Sequence, residues 1–287
     1  MGTTFRVVLF APDSATAAAG AAAAFERIAD LDRRLSDYDP ESELSRLAEV
    51  AGAGHGRAVS PALADILAIA RGWSERTGGA FDVTVGPLTR LWRWSARRGE
   101  LPDSVRLARA RAAVGWRCLD VDTATGVVRL ARPGMALDLG GIAKGYAADA
   151  ALAELARRGL RAALVDAGGD IAMGDAPPGE EGWHVAVERE GGAAAGGALV
   201  VANAGVATSG AAFRYFEAGG FRYSHIVDPR TGLGVTRSRA VTVVAPDATT
   251  ADVLASALSV LDDAAGRALV ASVPGARVID LSTEPEP

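Results

Sequence analysis

Residues 136–149, ALDLGGIAKGYAAD, constrain this chain more than any other stretch. They set an acid, a glycine pair, a lysine and a tyrosine where an extended segment gives way to a helix. Residues 135–139 read as the end of a strand, Gly140 and Gly141 as a turn, and Ile142 onward as a helix that reaches Arg158 and stops at Gly159. Paired glycines let the backbone approach a ligand, and a helix N-terminus presents unpaired N–H groups to an anion such as a diphosphate. Asp138 adds a condition. A carboxylate beside a phosphate is repulsive unless a cation lies between them, which points to a hard metal with oxygen ligands, most simply Mg²⁺. The plainer alternative is a glycine turn in which Asp138 caps the helix.

The surroundings of this junction follow from periodicity. Residues 5–10 read as a first strand and residues 14–35 as a helix, with Phe25, Ile28, Leu31 and Leu35 on its core face. The segment LSDYDPESELSRL breaks at Asp39-Pro40, which leaves Asp37 and Tyr38 on a loop. Tyr38 there is otherwise a packed surface aromatic. Residues 61–77 form a second amphipathic helix, including Ile69 and Trp73, closed by Gly78-Gly79. Residues 80–85 have the content of a short strand, placing Ala80, Phe81 and Asp82 where a helix cap meets a strand end. A tryptophan-rich helix at 91–98, a further helical segment to Trp116 and a hairpin over 119–130 come before the junction.

After it, 162–165 and 171–173 flank the tight turn DAGGD, and strands at 183–188 and 198–202 are separated by a flexible insert at 191–197. A strand at 240–245, a helix at 250–261 and one strand at 276–281 complete the chain. Strands that come in runs, with helices between some of them, predict an α+β fold with mostly antiparallel sheet. No linker divides the chain. It is expected to be a single domain over 1–287, with residues 266–287 a peripheral segment carrying no site.

Composition narrows the function classes. With 287 residues, 49% of them hydrophobic, there is material for one large core or two modest ones. A net charge of −5 and dispersed arginines, with no basic stripe or lysine cluster, argue against duplex-DNA binding. Cys118 is the lone cysteine, and His55, His184 and His225 are the only histidines, so neither a disulfide nor a cysteine zinc site is available. No run approaches the roughly 18–20 apolar residues of a spanning helix. No leader opens the sequence, so as written it predicts a cytoplasmic protein, or an exported or lipid-anchored one if a leader has been removed.

Two further clusters carry chemistry. Asp252 and Ser256 are four apart on the last long helix and share a face, with Ser259 and Asp263 continuing the stripe and Val253, Leu254, Ala257, Leu258 and Leu261 opposite. That stripe is either a solvated acidic side or a grip on a hard cation completed by the glycine junction. In SHIVDPRTG, His225 ends a strand just before the turn at Asp228-Pro229. It is either structural or a general base for a hydroxyl nucleophile.

Taken together and in order, MGTTF, LSDYD, GGAFDVTVGPL, DLGGIAKGYAAD, DAGGD, ATSG, HIVDPRTG and ATTADVLASAL resemble the ApbE family of FAD:protein FMN transferases. GGIAKGYAAD and HIVDPRTG are the specific parts. The resemblance implies a T-fold-like α+β domain with an FAD cleft between two lobes. It implies a Mg²⁺-dependent enzyme that cleaves FAD and joins FMN through a phosphodiester to a serine or threonine of an acceptor flavoprotein with a Ser/Thr-Gly-Ala-Ser/Thr motif, releasing AMP. By motif position, it implies metal ligation by the Gly141 carbonyl, Asp252 and Ser256. FAD contacts are implied at Met1, Tyr38, Ala80, Phe81, Asp82, Asp138, Lys144 and Val227, with His225 assisting the acceptor hydroxyl. Lys144 facing solvent and Asp138 orienting the adenine or the junction backbone stay open as alternatives. VATSGAA lacks the final hydroxyl residue and the upstream Asp of an acceptor, so self-modification at Ser209 is not expected. Alternatives from other classes are a Mg²⁺-dependent FAD pyrophosphatase giving FMN and AMP, and a non-catalytic FAD-binding protein. A nucleotide-binding oxidoreductase is disfavoured because no G-x-G-x-x-G follows a first strand.

Overall fold

The computed structural model describes residues 2–186, 199–210, 215–218, 221–236 and 239–283. The chain enters with strand β1 (Arg6–Leu9) and helix α1 (Ser14–Leu35), which Asp13 caps by accepting from the Thr16 N–H. Then follow α2 (Glu43–Ala48), β2 (Arg57–Ala58), α3 (Pro61–Arg76), α4 (Gly86–Arg98), α5 (Ser104–Ala112) and the hairpin of β3 (Leu119–Asp122) and β4 (Val127–Leu130). Beyond the glycine junction come α6 (Ala143–Arg157), β5 (Ala163–Asp166), β6 (Ile171–Met173), β7 (Trp183–Val185), β8 (Leu199–Val201), β9 (Ala204–Gly210), β10 (Tyr215–Ala218) and β11 (Phe221–Ser224). The chain closes with β12 (Arg239–Ala245), α7 (Ala248–Val260), α8 (Asp263–Ala271) and β13 (Arg277–Thr283).

Six strands make one sheet in the order β1-β5-β6-β9-β12-β13, every pair antiparallel. Period-two alternation assigns its faces. Ala163 and Val165 of β5 pack with α1 and α6, while Leu164 between them packs with Trp183 and Val185 of the β7–β8 pair. On β12, Val241 and Val243 face the main core and Val244 faces the other layer. Helices α6 and α7 therefore lie on one face and β7–β8 on the other. A second sheet, β2-β4-β3, joins α2 and α3 in the same hydrophobic cluster as α7. The α+β fold class with antiparallel sheet is what the structure has.

Several local expectations change. Residues 80–85 form turns rather than a strand, because Asp82 Oδ1 accepts from the N–H and hydroxyl of Thr84 and so takes a donor that a ladder would need. Residues 135–139 are extended but join no sheet, making one parallel bridge from Val85 to Ala136 and a bond from Asp138 N–H to Val83 O. Phe25 and Ile69, expected in the core, are exposed. The last long helix ends at Val260, so Asp263 opens α8 instead of extending the polar stripe. Residues 266–287 supply most of α8 besides the expected strand, which is β13 at the sheet edge. The insert at 191–197 lies outside the described residues, and no described helix is long and apolar enough to cross a membrane.

Candidate active site

Helices α6 and α7 run antiparallel and touch closely enough to dictate glycine. A Cβ on Gly145 would stand 2.3 Å from the Ala248 carbonyl oxygen, and one on Gly141 would stand 2.6 Å from Ser256 Oγ. The close approach lets α7 intervene in the first turn of α6. The Gly145 N–H, which in a regular helix would bond to Gly141 O, donates to Asp252 Oδ2 at 3.2 Å. Among the described residues the Gly141 carbonyl, Asp252 Oδ1 and the Ser256 hydroxyl take no hydrogen bond. Three oxygens of different kinds at the α6–α7 contact thus keep unused lone pairs, and carbonyl, carboxylate and hydroxyl oxygens are the donor types that suit a hard divalent cation.

Asp252 is 4% exposed, and burial pushes its carboxyl above the usual range while the Lys144 charge and the Gly145 N–H pull it down. The polar stripe of α7 is therefore not a solvated face. Ser259, also buried, donates to the Ala255 carbonyl at 2.9 Å and lies 3.2 Å from Ser209 Oγ. Lys144 is half-buried and forms an ion pair with Asp170 of the DAGGD turn, which is 1% exposed. So the lysine does not simply face solvent: its charge stands between two buried carboxylates.

Asp138 does not cap α6. Its Oδ1 accepts from Gly140 N–H at 2.9 Å, and its Oδ2 accepts from Thr89 Oγ1 at 2.7 Å and Arg93 Nη2 at 2.8 Å. The cation that offsets its charge is a guanidinium of α4. Arg93 also donates to Asp37 at 2.7 Å, and its charged carbon lies 4.8 Å from the centre of the Tyr38 ring. One side chain thus links the Tyr38 loop to the glycine junction. Neither Arg93 nor Thr89 was singled out from sequence, because an arginine on a polar helix face carries no motif.

The 80–85 turns sit against this junction. Phe81 is 3.4 Å from the position a Gly141 Cβ would take, and Ala80 and Phe81 are buried. The Asp82 carboxylate accepts from Thr84 and from Trp116 N–H, with burial raising its pKa. Its acid group is therefore engaged with the loop itself. Val227 is buried with Leu88, Trp92 and Val114, and Trp92 Nε1 donates to the Gly232 carbonyl at 2.8 Å. His225 lies exposed where β11 leads into that turn. Met1 lies outside the described residues. Phe81, Gly141, Lys144, Asp252 and Ser256 form one cluster; Asp138 joins it through Gly140, Tyr38 through Arg93 and Asp138, and Val227 through α4.

Comparison with known proteins places these features in a family context. The model of the ApbE family matches residues 1–279. The FAD:protein FMN transferase of Treponema pallidum is 37% identical over 71% of this chain, which spans 60% of that protein. Those of Klebsiella pneumoniae and Haemophilus influenzae are each 34% identical, over 91% and 92% of this chain and 76% and 79% of theirs. Among solved structures, the ApbE protein from Thermotoga maritima superposes with a TM-score of 0.87 at 30% identity, covering 98% of this chain and 91% of its own. The apo flavinyl transferase ApbE of Pseudomonas stutzeri gives 0.84 at 28% identity, over 99% and 92%.

Proposed function

This chain belongs to the ApbE family, and from that premise we propose that it is an FAD:protein FMN transferase. It takes FAD as substrate and passes FMN to a serine or threonine hydroxyl of an acceptor protein. The observation that carries this reading is the freed Gly141 carbonyl standing with Asp252 and Ser256 at the N-terminus of α6. Gly141 O, Asp252 and Ser256 would hold Mg²⁺, which when bound neutralises charge on the diphosphate.

The rest of the chemistry falls to the chain's own groups. The Gly141 and Lys144 N–H groups, which have no partner among the described residues, face the helix N-terminus where a phosphate is favoured. Lys144 adds a positive charge whose position Asp170 fixes. Exposed Tyr38, held by Arg93, supplies aromatic surface for a ring system, and buried Phe81 backs the Gly141 turn. His225 takes the proton of the acceptor hydroxyl. The oxygen then bonds to the FMN phosphorus, the bond between that phosphorus and the bridging oxygen breaks, and AMP leaves with the electron pair.

The test follows both products. Purified protein is incubated with FAD, Mg²⁺ and a peptide bearing a Ser-Gly-Ala-Thr core, and AMP release is read beside peptide mass. A mass gain of one FMN group matched by AMP is expected. AMP without peptide modification, for several such peptides, would replace the reading by an FAD pyrophosphatase; FAD bound and intact would leave a binding protein.

A further inference from the structure

The arginines are not evenly dispersed along the chain. Residues 86–112 hold seven arginines against two acids in a chain of net charge −5. They form the α4–α5 hairpin, and α5 buries none of its residues. Its inner side rests half-buried Leu107 and Ala110 on the cluster of Leu88, Trp92, Val114 and Val227, which leaves the arginines of its outer side facing solvent. The side chains are also held in place. Arg98 of α4 and Arg106 of α5 stack on the Trp94 ring at 4.8 and 4.7 Å. Among the described residues, Arg90, Arg97, Arg98, Arg109 and Arg111 form no ion pair.

This face is continuous with the candidate site. Arg90, Arg93 and Arg97 stand at helical spacing, so Arg90 and Arg97 flank the residue that reaches Asp138 and Asp37. On α5, Arg111 Nη2 donates to the Arg230 carbonyl in the turn that follows His225. Exposed Leu101 and Val105 lie at the hairpin tip. Arginine with interleaved tryptophan and a little apolar surface is the composition of a protein docking face. Two exposed aliphatic residues are too few to seat a helix in a bilayer, whose binding scales with buried apolar area.

We infer that the α4–α5 arginine face docks the acceptor protein, by binding carboxylates that surround the acceptor's serine or threonine. The inference rests on the transferase reading and names the chemistry of its macromolecular substrate. Complementary charge of this kind steers encounter and fixes orientation.

The test uses two labelled peptides with the same Ser-Gly-Ala-Thr core, one flanked by glutamates and one by glycine and serine. Binding is read by fluorescence anisotropy and transfer by mass. The glutamate-flanked peptide is expected to bind about tenfold tighter at low salt, with the preference fading as salt rises. Arg97→Glu/Arg109→Glu should abolish the preference through KM, leaving kcat and the melting temperature unchanged. Arg33→Glu/Arg267→Glu, an equal change in net charge elsewhere, should keep it. Equal losses in both variants would overturn the inference, as would no preference in the parent protein. So would Arg97- and Arg109-dependent binding of phosphatidylserine vesicles or an oligonucleotide with none of the glutamate peptide. Arginine-dependent peptide binding with no transfer to any peptide would remove the transferase reading and, with it, the acceptor as occupant of this face.

Discussion

At the scale of single residues, Gly141 and Asp149 show how much one atom can decide. Gly141 has no positive φ, so alanine is permitted by its backbone and opposed by Ser256, whose Oγ would lie at 2.6 Å and Cβ at 3.1 Å. Gly141→Ala should push the serine aside, cost only about 1 kcal/mol of stability, and raise the Mg²⁺ concentration needed for half-maximal transfer by about tenfold. Metal titration of the transfer rate, set beside thermal melting, separates the two effects. Asp149, beneath the N-terminus of α7, accepts from Ala248 and Thr249 N–H and from the Thr249 hydroxyl. Burial nevertheless raises its pKa from 3.8 to about 6. The folded state then binds this proton more tightly than the unfolded chain, so Asp149 makes stability fall as pH rises from about 4 to about 6, by roughly 3 kcal/mol, and level off above. Urea unfolding across that range should show a gentler fall for Asp149→Asn; an unchanged slope would remove the assignment. Asp149 was legible only as a letter within a motif, since its burial depends on a helix 100 residues later in the chain.

At the scale of elements, the α6–α7 pair and α4 organise the site. Gly145→Ala sets a methyl against backbone, 2.3 Å from Ala248 O, where no side chain can yield. It should destabilise by about 1–3 kcal/mol or more, seen as a lowered melting temperature, and disturb the metal dependence as well. Helix α4 is the bracket between motifs: Trp92 holds the Gly232 turn, and Arg93 holds both Asp37 and Asp138. A lysine cannot present two separated donors in a planar fork. Arg93→Lys should therefore raise KM for FAD about tenfold with kcat changed less than about threefold; the reverse pattern in steady-state kinetics would contradict that role. Periodicity made most elements legible: α1 has its expected bounds, and the 119–130 hairpin turns as its glycine requires. It failed at 80–85, where β-branched and aromatic residues suggested a strand and an aspartate side chain drew the backbone into turns. It also missed α4 as a bracket, because bonds across 45 to 140 residues leave no local pattern.

For the whole molecule, one antiparallel sheet and the helices on its face bring residues from positions 81 to 256 to one helix N-terminus. The order of motifs was readable and implied the family; the convergence was not, because it is a property of the β9-β12 pairing that delivers α7 onto α6. The stripe of Asp252 and Ser256 could be read as solvent-facing or cation-gripping, and burial of Asp252 removes the first alternative. The central claim is that this convergence holds the cation on which flavin transfer depends. Its most direct test is FMN transfer by the parent protein and by Asp252→Asn, which keeps an acceptor for the Gly145 N–H, each measured with Mg²⁺ and with a chelator. The account predicts that chelation abolishes transfer by the parent, and that Asp252→Asn, folded and still binding FAD, is slower by more than about a hundredfold at any Mg²⁺ concentration. Transfer that survives both chelation and the substitution would contradict it.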